Sequence, residues 1–379
     1  MALVRLSGTS GGPILEQVAS QPIPGDPDQK DRWLEHIDNG ISQLGSKANL
    51  KEIDGVVLPG WAVLTKILRV SRIEGAGQNE VVRFEAESAM PSGLAGYEWT
   101  YSILQDDGFE REVLVQAVAS ELLESLLERM LSHGIRPDVI DGLISAQLTA
   151  LGVQDVAGSG PVMLLDVGSR SVSLLVVSTG ESPFMRNFSF GGSQVTQALA
   201  GQLGKPFAEA EKLKLEWVGA QANAQQLELL NQASEGFVTR LVNEVQRSLA
   251  LFRRQGQAHN PSRILLTGGA SRLPGLADFL ERKTGIPSVY YDAFQGIASG
   301  PSLSTTIASH ASHALCAPLG LGLRMLKSPE SVPNLLPSAL SSGRVLSGKK
   351  PWFLAAAGLS VLALLLLGLK FHWQSLELE

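Results

Sequence analysis

The chain has 379 residues, a net charge of -6 and 18% charged residues, an ordinary soluble surface without the basic stripe that nucleic-acid binding requires. Its single cysteine, Cys316, leaves no partner for an internal disulfide and fits a reducing compartment. One stretch departs from this composition: residues 352–369, WFLAAAGLSVLALLLLGL, carry no charge and as a helix reach roughly 27 Å, the thickness of a hydrocarbon core.

In chain order, residues 2–6 and 14–20 predict a hairpin around Gly11-Gly12, followed by a helix near 30–44. A buried strand over 54–59 ends at a Pro-Gly turn, and the changed pattern after it, through VVRFEAESAM to 98–104, predicts a small inserted subdomain. Leu114, Val118, Leu122, Leu126 and Met130 recur at helical spacing, and His133-Gly134 closes that helix. Beyond Gly158-Ser-Gly160 a strand over 162–166 meets the tight turn Val167-Gly-Ser-Arg170 and a return strand over 171–178, opening a second large domain. Leu227, Leu230, Val238, Leu241, Val245, Leu249 and Phe252 line the core face of a helix ending near Gly256. A strand over 264–267 runs into Gly268-Gly269 and a helix from about Gly275, and after Met325 a Ser, Pro and Gly-rich linker leads to 352–369.

Four segments could carry chemistry. In LLDVGSRSVSLLVV, Gly168 lets the backbone approach a phosphate, Ser169 and Ser171 add hydroxyl donors, and Asp166 can hold a metal ion or its water. In ILLTGGASRLPGL, Gly268 and Gly269 carry no Cβ, so a flat base or ribose can lie against the chain there. FSFGGSQVTQALA sets Gly191 and Gly192 before a helix whose Ser193 and Thr196 either cap it or face a phosphate. EAEKLK puts Glu211 and Lys214 on one helical face. Taken singly, each also reads as ordinary structure: a polar hairpin turn, a strand-to-helix turn, a cap, a solvated pair.

In this order the four segments resemble the actin-like ATPases, and VVLPGWAV, VRFEAESAMP, EAEKLKLE, LTGGASRLPGLADFLERKTGIP and APLGLGLRML narrow the resemblance to the PilM family of type IV pilus assembly, over roughly residues 2–326. The resemblance implies a bilobed α/β, ribonuclease H-like fold. Its first lobe would comprise 1–60 and 135–157 with an inserted subdomain at 61–134, and its second lobe 158–204 and 262–326 with a helical subdomain at 205–261. It also implies ATP or ADP with magnesium between the lobes: Asp166, Gly168, Ser169 and Ser171 at the phosphates, with Asp166 holding magnesium through water, Gly192 and Thr196 beside them, Glu211 and Lys214 at the ribose or base, and Gly268, Gly269 and Ala270 at the adenosine.

One departure stands out. PilM sequences open with a first phosphate hairpin, Gly-Ile-Asp-x-Gly-Ser, whereas this sequence starts inside what would be its return strand. That reads either as loss of those residues or as conversion to a pseudo-ATPase, and the unpaired edge such a strand would leave favours the former. Weak or absent ATP binding is the expectation, with at most weak ATPase activity. In the linker (327–351), Asn334, Leu335, Leu336 and Pro337 precede a basic stretch and the span at 352–369, an order that resembles the start of PilN, the membrane partner whose Asn-Leu-Leu-Pro segment docks on PilM. A PilN-like chain would continue past the short tail at 370–379.

The expected role is a cytoplasmic, nucleotide-responsive scaffold of the type IV pilus or the related type II secretion platform, held to the inner membrane by one pass, with PilN- and PilO-like proteins as partners, motor components as further ones, and self-association open. Arg344, Lys349 and Lys350 ahead of the span place the bulk of the chain on the cytoplasmic side. Two alternatives share the fold. An FtsA-like division protein would hold the membrane with an amphipathic helix, and 352–369 is apolar all round. A sugar or acetate kinase needs an acceptor pocket with a catalytic Asp, for which no segment matches.

Overall fold

The computed structural model describes residues 1–9, 12–23, 33–75, 77–91, 93–154, 160–255, 259–301, 303, 312–327 and 332–337. The chain divides into Met1–Leu335 and Leu336–Glu379, and the second unit is represented by Leu336 and Pro337 alone. The expected transmembrane run at 352–369 lies outside the described residues, among which no helix is long and apolar enough to cross a membrane.

The first lobe begins with the antiparallel hairpin β1 (Ala2–Thr9) and β2 (Gly12–Ser20). Helix α1 (Trp33–Gly45) follows, then β3 (Gly55–Leu58). The insertion is an antiparallel sheet of β4 (Leu64–Ser71), β5 (Tyr97–Asp106) and β6 (Glu110–Ala119) in the order β4-β6-β5. On one face it carries α2 (Gly77–Ala89), whose Val82 and Ala86 meet Val113, Val115 and Ala117 of β6 in one apolar cluster. Helix α3 (Ser120–Ser132) returns the chain to β7 (Val139–Gly142), which pairs in parallel with β3, and to α4 (Leu143–Val153).

The helical spacing from Leu114 to Met130 thus covers two elements. Leu114 and Val118 belong to β6, and only the rest is helix. A separation of four is also even, so it keeps two strand residues on one face as well as two helical ones.

The second lobe has a five-stranded sheet in the order β10-β9-β8-β11-β12, built from β8 (Val162–Val167), β9 (Val172–Val177), β10 (Phe184–Phe188), β11 (Ile264–Thr267) and β12 (Ser288–Tyr290). Strands β8, β11 and β12 run parallel, and β8, β9 and β10 form an antiparallel meander. Central strands covered on both faces read as unbroken apolar runs, and β8 obeys this by sorting its side chains. Met163, Leu165 and Val167 enter a cluster with α5 (Ser193–Leu203) and α7 (Ala224–Arg254), whereas Val162 and Leu164 enter another with Ile144 and Leu151 of α4. Between those helices lies α6 (Phe207–Glu216). The long α7 starts at a capping box between Asn223 and Gln226, which satisfies two otherwise orphaned amides, and buries Leu230, Phe237, Leu241, Val245 and Phe252.

After α8 (Leu276–Thr284) the chain returns to the first lobe. β13 (Ala298–Ser299) pairs with β2, and α9 (Cys316–Lys327) packs on α4, β1 and β3. Helix α9, placed in the second lobe by sequence order, therefore closes the first. The compact body also runs past 326, because Val332 joins Val139, Ala146, Ala317 and Leu321 in an apolar cluster and Leu335 is 1% exposed.

Candidate functional site

Asp166, next to last in β8, stands beside Thr267 at the end of the parallel strand β11, so the hairpin after β8 and the Gly pair after β11 open side by side onto one cleft. That cleft has a volume of about 1120 Å³, and Asp166, Gly168, Ser169, Ser171, Gly192, Glu211, Lys214, Gly269 and Ala270 all line it. Thr196 and Gly268 stand directly behind these residues, through the contacts that follow. The first lobe contributes a largely apolar wall, with Leu3, Trp33, Ile37, Ile41, Val57 and Trp61 among its residues.

The hairpin is a tight turn closed by the Gly168 amide, which donates to the Ser171 carbonyl at 3.0 Å. Its outward carbonyls are held from α5: the Gly192 amide donates to Gly168 and the Ser193 amide to Ser169, both at 2.9 Å. Both amides thus serve the hairpin. A Cβ on Gly191 would come within 2.4 Å of the Ser169 carbonyl, so this turn fits only if residue 191 is glycine. Gly268 has φ +87°, and a Cβ there would lie 2.4 Å from Asp166 Oδ1. Gly269 is exposed and a Cβ on it would meet nothing within 4 Å, so it leaves open cleft beside the Gly268 bend.

Glu211 and Lys214, one turn apart on α6, form a closed cluster with Thr196. The Lys214 ammonium donates to Glu211 Oε2 at 2.6 Å, Thr196 Oγ1 at 2.7 Å and the Gly192 carbonyl at 3.3 Å. Its three donors are thereby satisfied, and the Thr196 hydroxyl also bonds Glu211. Lys214 is buried and Glu211 half-buried, so the pair presents a fixed edge to the cleft where a loose surface pair would present two mobile ends.

At the cleft floor, Gln147 Nε2 donates to Asp166 Oδ2 at 2.6 Å. Burial pushes the Asp166 carboxyl up to about 6, partly countered by that hydrogen bond. Gln147 Oε1 is buried without a partner among the described residues. A buried carboxyl next to an unsatisfied amide oxygen fits a hydrated magnesium ion, since the metal's water can donate to both. No cluster of three or more His, Cys, Asp or Glu that could cage a metal exists among the described residues, so most of such an ion's ligands would be water and phosphate.

Gln147 was missed in the sequence because a lone Gln inside an apolar helix carries no motif. Arg170 and Trp61 were missed for a similar reason. The Arg170 guanidinium lies over the Trp61 ring at 4.1 Å, and Trp33 meets Trp61 edge-on with centroids 5.2 Å apart.

The segment after α9 forms a second feature. Asn334 Oδ1 accepts the Ile140 amide at 3.0 Å, Asn334 Nδ2 donates to the Asp138 carbonyl at 2.9 Å, and the Leu335 amide donates to the Ile140 carbonyl at 2.8 Å. Residues 334–335 thus run along the edge of β7 in strand-like fashion. Leu336 is buried, and with Pro337 it belongs to the second unit.

Two α/β lobes face one cleft, the second with a Gly-Ser hairpin and a Gly pair and the first with an inserted antiparallel sheet. The family described as type IV pilus assembly protein PilM matches residues 1–326, and the chain belongs to that family. Among solved structures it is similar to a PilM-PilN type IV pilus biogenesis complex, with 23% identity and a TM-score of 0.68 over 86% of this chain and 95% of that one. Ethanolamine utilization protein EutJ from Carboxydothermus hydrogenoformans matches at 13% identity and a TM-score of 0.42, over 85% of this chain and 89% of that one. Ta0583, an archaeal actin homolog, matches at 15% and 0.36, over 51% and 56%.

Proposed function

We propose that this PilM-family chain is a scaffold of the pilus assembly platform at the inner membrane, with a cleft that takes a magnesium nucleotide weakly and a β7 edge that takes an Asn-Leu segment of PilN type. The observation that carries the reading is the docking of Asn334 and Leu335 on β7. Asn is suited to the task because one side chain both accepts from and donates to an extended backbone, taking the place of a neighbouring strand. In this chain the segment follows α9 directly, so the cytoplasmic body holds the start of its own membrane-directed sequence. The apolar run at 352–369 would then cross the membrane with the bulk of the chain on the cytoplasmic side.

In the cleft, the hairpin turn with Ser169 and Ser171 would face the phosphates and Asp166 with Gln147 would hold a magnesium-bound water. Gly268, Gly269 and Ala270 would lie along the adenosine, with Glu211 and Lys214 at the ribose or base. Magnesium supplies charge neutralisation when bound. The first lobe's apolar share of the lining contributes few phosphate donors, which limits affinity. Occupancy without turnover suffices for a scaffold.

Isolation of the tagged full chain from membranes tests the reading. Co-recovery of inner-membrane pilus proteins, resistance to alkaline extraction, and loss of the co-recovery on Asn334→Ala with Leu335→Ala are the expected results. Recovery in the soluble fraction without such partners would contradict it.

A further inference from the structure

Trp61 belongs to the first lobe and Arg170 to the phosphate hairpin of the second, so their contact at 4.1 Å is made across the cleft. Both line it. Next to it, a Cβ on Gly60 would come within 2.9 Å of Ser173 Oγ at the start of β9, so the turn Pro59-Gly60-Trp61 is seated directly on the second lobe's hairpin. The Ala62 amide closes that turn onto the Pro59 carbonyl at 2.9 Å.

The same turn is the direct continuation of β3, which is in parallel register with β7: Leu58 faces Gly142, Val57 faces Asp141 and Val56 faces Ile140. Ile140 is the residue whose amide and carbonyl hold Asn334 and Leu335. Its neighbour Asp141 is fully buried and fixed by Gln116, the Gly142 amide and Arg324, so β7 is pinned on its inner side and paired with β3 along all four of its residues. Two paired strands therefore join a cation over a tryptophan at one end to a docked segment at the other.

We infer that Arg170 is the cleft's ligand-responsive cation: a phosphate-bearing ligand draws its guanidinium off Trp61, and β3 and β7 pass that loss on as weaker docking of Asn334 and Leu335. This rests on the proposed phosphate role of the hairpin. Arg170 sits between Ser169 and Ser171, the two residues proposed to face phosphate, and a guanidinium binds phosphate through two parallel donors more strongly than it binds a ring face. The ligand can shift the docking equilibrium only by its differential interaction with the two states. Because a cation–π contact at a partly exposed site is weak, the expected change is about five-fold.

Hydrogen exchange at the Ile140 and Leu335 amides of the full chain is the readout, with magnesium ATP and magnesium triphosphate as probes and calorimetry to report whether each binds. Either probe, once bound, is expected to speed exchange of both amides about five-fold. Trp61→Ala and Arg170→Gln are expected to show the faster exchange with no ligand present and no further response, while Trp61→Phe, which keeps a ring under Arg170, retains the response. Arg170→Gln keeps the tryptophan packing and decides the matter if Trp61→Ala does not fold. Unchanged exchange on a bound probe, or wild-type exchange in both Arg170→Gln and Trp61→Ala, overturns the inference. If calorimetry shows no binding of either probe, the nucleotide reading of the cleft fails by itself, and the unliganded variants still decide whether the contact is coupled to docking.

Discussion

Gln147 Nε2 donates to Asp166 Oδ2 at 2.6 Å on the floor of the cleft, and this single hydrogen bond offsets only part of the cost of burying that carboxylate. Its pKa, pushed up to about 6, is higher folded than unfolded, so the folded state binds the extra proton. The stability this group contributes is therefore full below about pH 4 and is lost as pH rises through about 6, by at most about 3 kcal/mol. Asp166→Asn removes the effect. Relative to wild type, the variant is expected to gain stability progressively between pH 4 and 7 in denaturant titrations, and magnesium with ATP is expected to narrow the gap for wild type alone.

Gly268 tests the wall beside it. With φ at +87° and Asp166 Oδ1 2.4 Å from where a Cβ would stand, Gly268→Ala combines a disfavoured backbone with a steric clash. A loss of about 1–3 kcal/mol is expected, measurable as a lowered unfolding midpoint. Gly269→Ala, whose Cβ meets nothing, is expected to stay near wild type.

The Asp141–Arg324 pair ties α9 to β7. Arg324 Nη1 lies 3.1 Å from Asp141 Oδ2 and 2.7 Å from Ser145 Oγ, and Nη2 donates to the Ser145 carbonyl at 2.7 Å. Burial raises the pKa of Asp141, and the Arg324 guanidinium opposes that rise. Arg324→Met leaves a carboxylate without its counter-charge in the core, for which a loss of about 3–5 kcal/mol is expected. Adding Asp141→Asn should restore part of it, giving a clear non-additivity in a double-mutant cycle.

Asn334→Ala removes two hydrogen bonds, one from the Ile140 amide of β7 and one to the Asp138 carbonyl just before that strand. Local opening of residues 334–335 is expected to become easier by about 1–2 kcal/mol, so exchange at the Leu335 amide should speed up about ten-fold, while amides in the β8–β9 sheet stay protected.

Much of the second lobe was legible in the sequence. Apolar stretches opening 162–166 and 264–267 announced strands, Gly168 marked the turn, and a long 3.6-residue stripe gave α7; the parallel pairing of the two strands was not legible. What failed depended on contacts distant in sequence. Leu114 and Val118 obey both periodicities, so only their pairing with Ile67 and Glu98 assigns them to a strand. Helix α9 joins the first lobe because Arg324 finds Asp141, 183 residues earlier. The Gly192 and Ser193 amides meet acceptors, Gly168 and Ser169, that belong to a different motif, so that contact was not legible. For Asn334 the sequence offered only the resemblance of residues 334–337 to a docking segment, and its contacts with Asp138 and Ile140 were not legible.

The proposed nucleotide cleft of low affinity rests on Asp166 and the Gly168 hairpin. Calorimetric titration of the full chain with magnesium ATP tests it most directly. Weak saturable binding, with Kd above about 100 μM, corresponding to no more than about 5.5 kcal/mol, and its abolition by Asp166→Ala are the results the account expects. Low-micromolar affinity, or binding untouched by Asp166→Ala, would contradict it.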